Sequence, residues 1–132
     1  MEQNKNFLKE RAAKFWQLAE EKHQQKEFNM SALFTEQAVQ LFTKHLIYAY
    51  LGEFPKTHLI SELIESLAEA HQKPAIMEFY RQHSNEFLAL EDAYITSRYI
   101  PREFNQSEAD GFIRLANQYF SLLDKECDEQ II

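Results

Sequence analysis

The stretch MSALFTEQAVQLFTKHLIYAYL, Met30 to Leu51, decides the fold. Met30, Phe34, Gln37, Leu41, Lys44, Tyr48 and Leu51 follow one another in steps of four and three. That spacing keeps side chains on one face of an α-helix. Val39, Phe42, Leu46 and Tyr50 add a second apolar flank, leaving mainly Glu36, Gln40 and Thr43 for water. A helix that is apolar on two sides needs neighbours on both, so this one is expected at the centre of a helical assembly. Gly52 directly after Leu51 suits the left-handed residue that commonly ends a helix.

The flanking sequence supplies those neighbours. From about Asn4 to Gln25, Phe7, Arg11, Phe15, Leu18 and Lys22 share one side, with Leu8, Ala12 and Ala19 nearby. KEFNMS reads as a turn before the central helix. After GEFPKT, Thr57 is expected to cap a third helix running to about Ala70. A fourth is expected from Pro74 to Tyr99, stopped by Pro101. Ser107, three residues before Asp110, reads as a capping-box-like start to a fifth helix ending near Glu126, followed by a frayed CDEQII tail.

With 132 residues, 2 glycines and 3 prolines, the chain reads as one domain over 1–132: an all-α, antiparallel up-and-down bundle of about five helices. The net charge of −7 argues against a duplex nucleic acid partner, which requires a basic face. No apolar run is long enough for a membrane span, and no signal-like segment opens the chain. The single Cys127 leaves no internal disulfide framework, and a reducing cytoplasm is the simplest home. Between Glu126 and Asp128 its thiol pKa should be raised, which speaks against a nucleophile.

Functional signals lie where polar residues interrupt apolar stripes. Gln37 and Lys44 do so on the central helix, and each must find a partner or an opening. One reading is structural: Gln37 ties down a backbone group and Lys44 reaches the bundle edge with its ammonium. The other is a polar pocket in which Gln37 offers amide contacts and Lys44 meets an anion. A second stripe, Ile76, Tyr80, His83, Phe87, Leu90 and Tyr94, ends in Arg98. Arg98 is expected partly buried at the helix C-terminus, its stem on Tyr94 and its fork on an acidic group, a carbonyl or a ligand phosphate. His58 and Glu62 have metal-pair spacing, yet no third ligand is evident, so no metal site is expected. With glycines only at 52 and 111, there is no glycine-rich phosphate loop.

Taken in order, Gln37-Ala38, Lys44, Gly52 with Pro55, His58-Leu59, and the Tyr94, Arg98-Tyr99, Pro101 cluster resemble the HEPN domain family (higher eukaryotes and prokaryotes nucleotide-binding). The resemblance covers nearly the whole chain. It implies a helical bundle, usually a homodimer, linked to nucleotides or RNA. It also implies a small, separately encoded nucleotidyltransferase partner of the minimal type, in toxin–antitoxin or related systems. Ribonuclease members of the family carry an arginine followed, after four to six residues, by a histidine. No arginine here has a histidine at that spacing, so the cation lacks an obvious general acid or base and no catalytic residue is assigned. The resemblance and the residues together make a non-catalytic module with a possible nucleotide ligand the leading expectation. Gln37, Lys44, His58, Tyr94, Arg98 and Tyr99 are its candidate site. The alternative is a dimerisation or protein-interaction module with no small-molecule ligand, to which an excess of aromatic residues, 11 Phe and 6 Tyr, would contribute surface.

Overall fold

A computed structural model describes residues 6–132. Within them the helices are α1 Phe7–Gln24, α2 Phe28–Leu51, α3 Ile60–His71, α4 Pro74–Gln82, α5 Ser84–Tyr99 and α6 Gln106–Cys127. The expected start of the first helix at Asn4 lies outside the described residues. The architecture is the expected all-α bundle, and α2 is its central element, packing against α1, α3, α5 and α6. No helix among the described residues is long and apolar enough to cross a membrane.

The turn between α1 and α2 is shorter than KEFNMS. Lys26 takes a left-handed φ of 62°, Lys26 N donates to His23 O at 3.1 Å, and Glu27 N donates to Lys22 O at 2.9 Å. This double bond pattern closes a helix without glycine, so α2 begins at Phe28. It folds α2 back antiparallel along α1, which meets it through Leu8, Ala12, Trp16 and Ala19. Of the face proposed from Phe7, Arg11, Phe15, Leu18 and Lys22, Phe7 and Arg11 are exposed, whereas Phe15 packs on Phe34 and Leu18 and Lys22 are half-buried.

Burial of α2 departs most from the sequence pattern. Between Thr35 and Ile47 only Gln37 and Leu41 escape full burial. Glu36, Gln40 and Thr43, expected in water, are 2%, 5% and 1% exposed. Four neighbouring helices leave α2 no solvated side, so its polar residues have to satisfy one another. Thr43 shows the simplest solution: its hydroxyl bonds Val39 O at 2.7 Å and Tyr119 Oη at 2.6 Å. Burial drives the Tyr119 phenol well above its usual range, keeping it neutral.

The expected long fourth helix is two helices. At His83 the backbone turns to φ −120°, ψ 20°, where α4 ends and α5 begins. The break lets Phe79 and Phe87 both reach Tyr119, at ring distances of 6.3 and 5.5 Å. Edge contacts from Phe42 and Trp16 onto Phe120 extend this aromatic centre. The interior takes up all the phenylalanines except Phe7, so the exposed aromatic surface comes mainly from Tyr50 and Tyr99.

Caps also shift register. Thr57 does not cap α3: its hydroxyl accepts from Leu59 N at 3.1 Å and donates to Glu62 at 2.6 Å. The carboxylate of Glu91 on α5 takes the first amides of α3 instead, those of Ile60 and Ser61. For α6 the capping box is Asn105 with Glu108, two residues before the expected Ser107 and Asp110. Arg102 also bonds Glu108. The Asn105 backbone amide leads in holding that carboxyl below its usual range. The tail is anchored rather than frayed. Glu129 accepts from His45 at 2.8 Å and Lys9 at 3.2 Å, and Ile131 joins the core. Burial and the neighbouring Glu126 push the Cys127 thiol up to about 11, as its position suggested.

Candidate functional site

A groove of about 450 Å³ opens between α2, the chain entering α3, and α5. Four of the residues singled out in the sequence line it: Gln37, His58, Tyr94 and Arg98. Each comes from a helix geometry already described. Gln37 is on a half-covered position of α2, His58 lies one residue before the α3 cap, and Tyr94 and Arg98 are one turn apart on α5.

Arg98 is exposed, not partly buried as expected. It sits in the last turn of α5, beyond the packed part of the bundle, where its guanidinium lies between two rings. The distances are 5.0 Å to the Tyr94 ring and 4.8 Å to that of Tyr99. Its Nη1 donates to Tyr94 Oη at 2.5 Å. Among the described residues no ion pair involves Arg98, so its charge remains open to solvent or a ligand. Tyr99 is 64% exposed and flanks Arg98 from outside the groove.

Lys44 is buried and does not line the groove. Its ammonium donates to Gln40 Oε1 at 3.1 Å and lies over the Phe54 ring. Burial pulls Lys44 below the usual lysine range, while Glu36 acts in the opposite direction. Gln40 is the hub that sequence reading missed. Its Oε1 also meets His58 Nδ1 at 3.1 Å, and its Nε2 donates to Glu36 Oε2 at 3.0 Å. Gln37 Nε2 donates to Glu36 Oε1 at 2.9 Å. The sequence carried one signal for this network: Glu36, Gln40 and Lys44 are spaced by four, so all three fall on one helical line.

Burial pushes Glu36 up to about 7; the two glutamine amides oppose it, and Glu91 adds to it. The groove is therefore bipolar. Glu36 and Glu91 supply acceptors toward its floor, the exposed Asp92 adds another, and Arg98 supplies a planar donor fork at its rim. Glu91 and Arg98 are seven residues apart, about 10 Å along the helix. Leu59 and Ile95 provide apolar wall between them. Among the described residues no three His, Cys, Asp or Glu side chains gather as a metal site, and His58 and Glu62 bond to different partners. Another hollow of about 490 Å³, lined by Leu51, Phe54 and Glu69 among others, has no cationic side chain in its wall.

A family model, that of the HEPN domain, matches residues 6–126. Comparison with curated proteins and with solved structures returns no significant match.

Proposed function

The chain belongs to the HEPN domain family, and on that premise we propose that it is a non-catalytic nucleotide-binding module. It works beside a minimal nucleotidyltransferase, in a toxin–antitoxin-like or related system, in a reducing cytoplasm. The observation that carries the ligand reading is Arg98, an unpaired guanidinium held between two tyrosine rings at the rim of a groove whose floor can accept hydrogen bonds. A phosphate meets the fork, a tyrosine ring stacks on the base, and Gln37 and His58 contact it from the α2 side. Lys44 acts from beneath, fixing Gln40 and through it His58.

Titration calorimetry with ATP, GTP and UTP tests this reading; no heat at millimolar nucleotide removes it. Because Arg98 is exposed, Arg98→Lys is expected to leave the denaturation curve of the free protein within about 0.5 kcal/mol. Nucleotide affinity should fall about tenfold or more, since lysine keeps the charge and loses the fork. A stability loss with unchanged affinity would make Arg98 an internal clamp instead.

A second reading, a homodimeric interaction module, is favoured by a different observation. Leu88, Ile95 and Tyr99 follow one outward line on α5 and are 55%, 50% and 64% exposed. Such a line suits an interface. Sedimentation velocity across a hundredfold concentration range should then show a dimer that dissociates on dilution. A single concentration-independent monomer would eliminate the homodimer.

A further inference from the structure

The floor of the groove carries a buried carboxylate whose two amide partners do not fill its acceptor positions. Glu36 is 2% exposed and lines the groove, and no ion pair among the described residues involves it. A buried glutamate without a cationic partner is uncommon, because the interior disfavours its charge. The nearest cation on its own helix, Lys44, donates its hydrogen bond to Gln40 and favours the Glu36 charge only through space.

That arrangement fixes the polarity of the network. An ammonium only donates, so the Gln40 carbonyl must face Lys44 and its NH₂ must face Glu36. Gln37 also presents its NH₂ to Glu36. Each carboxylate oxygen thus accepts one amide, and a carboxylate has about four acceptor positions. Two remain without a hydrogen-bond partner among the described residues. Of the other two carboxylates lining the groove, Glu91 is already engaged on the first amides of α3, and Asp92 is exposed to solvent.

We propose that Glu36 selects the ligand: its free acceptor positions take a hydrogen bond from an exocyclic amine, so that amino-bearing bases are held in preference to the same bases without the amine. The inference rests on the nucleotide reading above and names the chemistry by which that groove discriminates. Amine and phosphate then occupy opposite ends of the groove, Glu36 at the floor and Arg98 at the rim.

The charged groups facing Glu36 are Lys44 on its own helix, His58 from the chain entering α3, and Glu91, Asp92 and Arg98 from α5. With its carboxyl pushed up to about 7 by burial, Glu36 is a full acceptor at pH 8 and largely protonated at pH 6. Discrimination should therefore be greater at the higher pH.

The test uses nucleotide pairs that differ by one amine, titrated into the full chain by calorimetry. They are AMP against purine riboside monophosphate, GMP against IMP, and CMP against its 4-deamino analogue. At pH 8 at least one pair should favour the amine about tenfold, the value of one charged hydrogen bond. The ratio should shrink at pH 6. Glu36→Gln should bring it below threefold at both pH values, while Glu36→Asp, which keeps the charge, should retain part of the preference. Circular dichroism verifies that both variants fold. Ratios below threefold for every pair in the unaltered protein overturn the inference and leave nucleotide binding standing. So does a preference that survives unchanged in Glu36→Gln. If no nucleotide binds at all, the functional reading falls first and the inference with it.

Discussion

Replacing Gln40 with alanine is expected to destabilise the protein by about 3 kcal/mol or more, an effect far beyond that of a surface glutamine. The loss comes from what the amide leaves behind. Lys44 Nζ, His58 Nδ1 and Glu36 Oε2 each lose a hydrogen-bond partner, and Lys44 and Glu36 are buried. An unsatisfied buried group costs about 1–3 kcal/mol, more when it is charged. Urea denaturation at pH 7 measures the change. A loss under about 1 kcal/mol would mean that water enters and the network carries no weight. Gln40→Glu should not rescue it, because the new carboxylate would face Glu36 directly.

The second large effect depends on pH. Burial raises Glu36 from an ordinary 4.5 to about 7, so the folded protein resists ionising it while the unfolded chain does not. Its contribution to stability is fully present below pH 4.5 and is lost as pH rises through 7. The gap corresponds to on the order of 3 kcal/mol. Glu36→Gln cannot ionise and escapes this loss. Relative to the unaltered protein, the variant should therefore gain about that amount between pH 4 and pH 8, whatever its stability at pH 4. Parallel denaturation series at the two pH values give the difference directly. A constant offset would mean that Glu36 ionises freely and is better hydrated than its burial indicates. If the gain appears, the protein carries above neutral pH a charge that weakens its own fold, which is the expected mark of a group kept for its ligand.

The same residues show where sequence reading succeeds. Gly52 ends α2 with φ 80°, as its position suggested, because only a residue without a Cβ takes that conformation freely. Helix type and the central place of α2 follow from apolar spacing, which is a property of the sequence itself. The end of α1 and the end of α3 are different. They use Lys26 and Gln72 at left-handed φ, so no glycine marks them. The break at His83 is silent too: the four-three spacing runs straight through it, and only packing on Tyr119 distinguishes two helices from one. NQSEAD offers two overlapping capping registers, and side-chain geometry chose Asn105 with Glu108.

For the candidate site, Gln37, His58, Tyr94 and Arg98 were legible, and the structure brings them to one groove. Glu36 and Gln40 were missed because polar residues opposite an apolar stripe are usually solvated. That rule fails for a helix surrounded on all sides. Lys44 was found, but its direction was not: it points to Gln40 rather than into the groove. Spacing gives the line on which a side chain lies. It does not say which neighbouring helix closes over that line.

The anchored tail has a consequence for how the chain assembles. Lys9 and Glu129 touch although 120 positions separate them, so the described chain is nearly a ring. Bringing together the ends of a loop that long costs on the order of 4 kcal/mol in entropy. A partly exposed ion pair returns about 1 kcal/mol at most. The pair therefore cannot draw the ends together. Its closure is expected to follow the docking of α1, α2 and α6. A pair of fluorescence probes placed at those two positions is accordingly expected to respond late in folding.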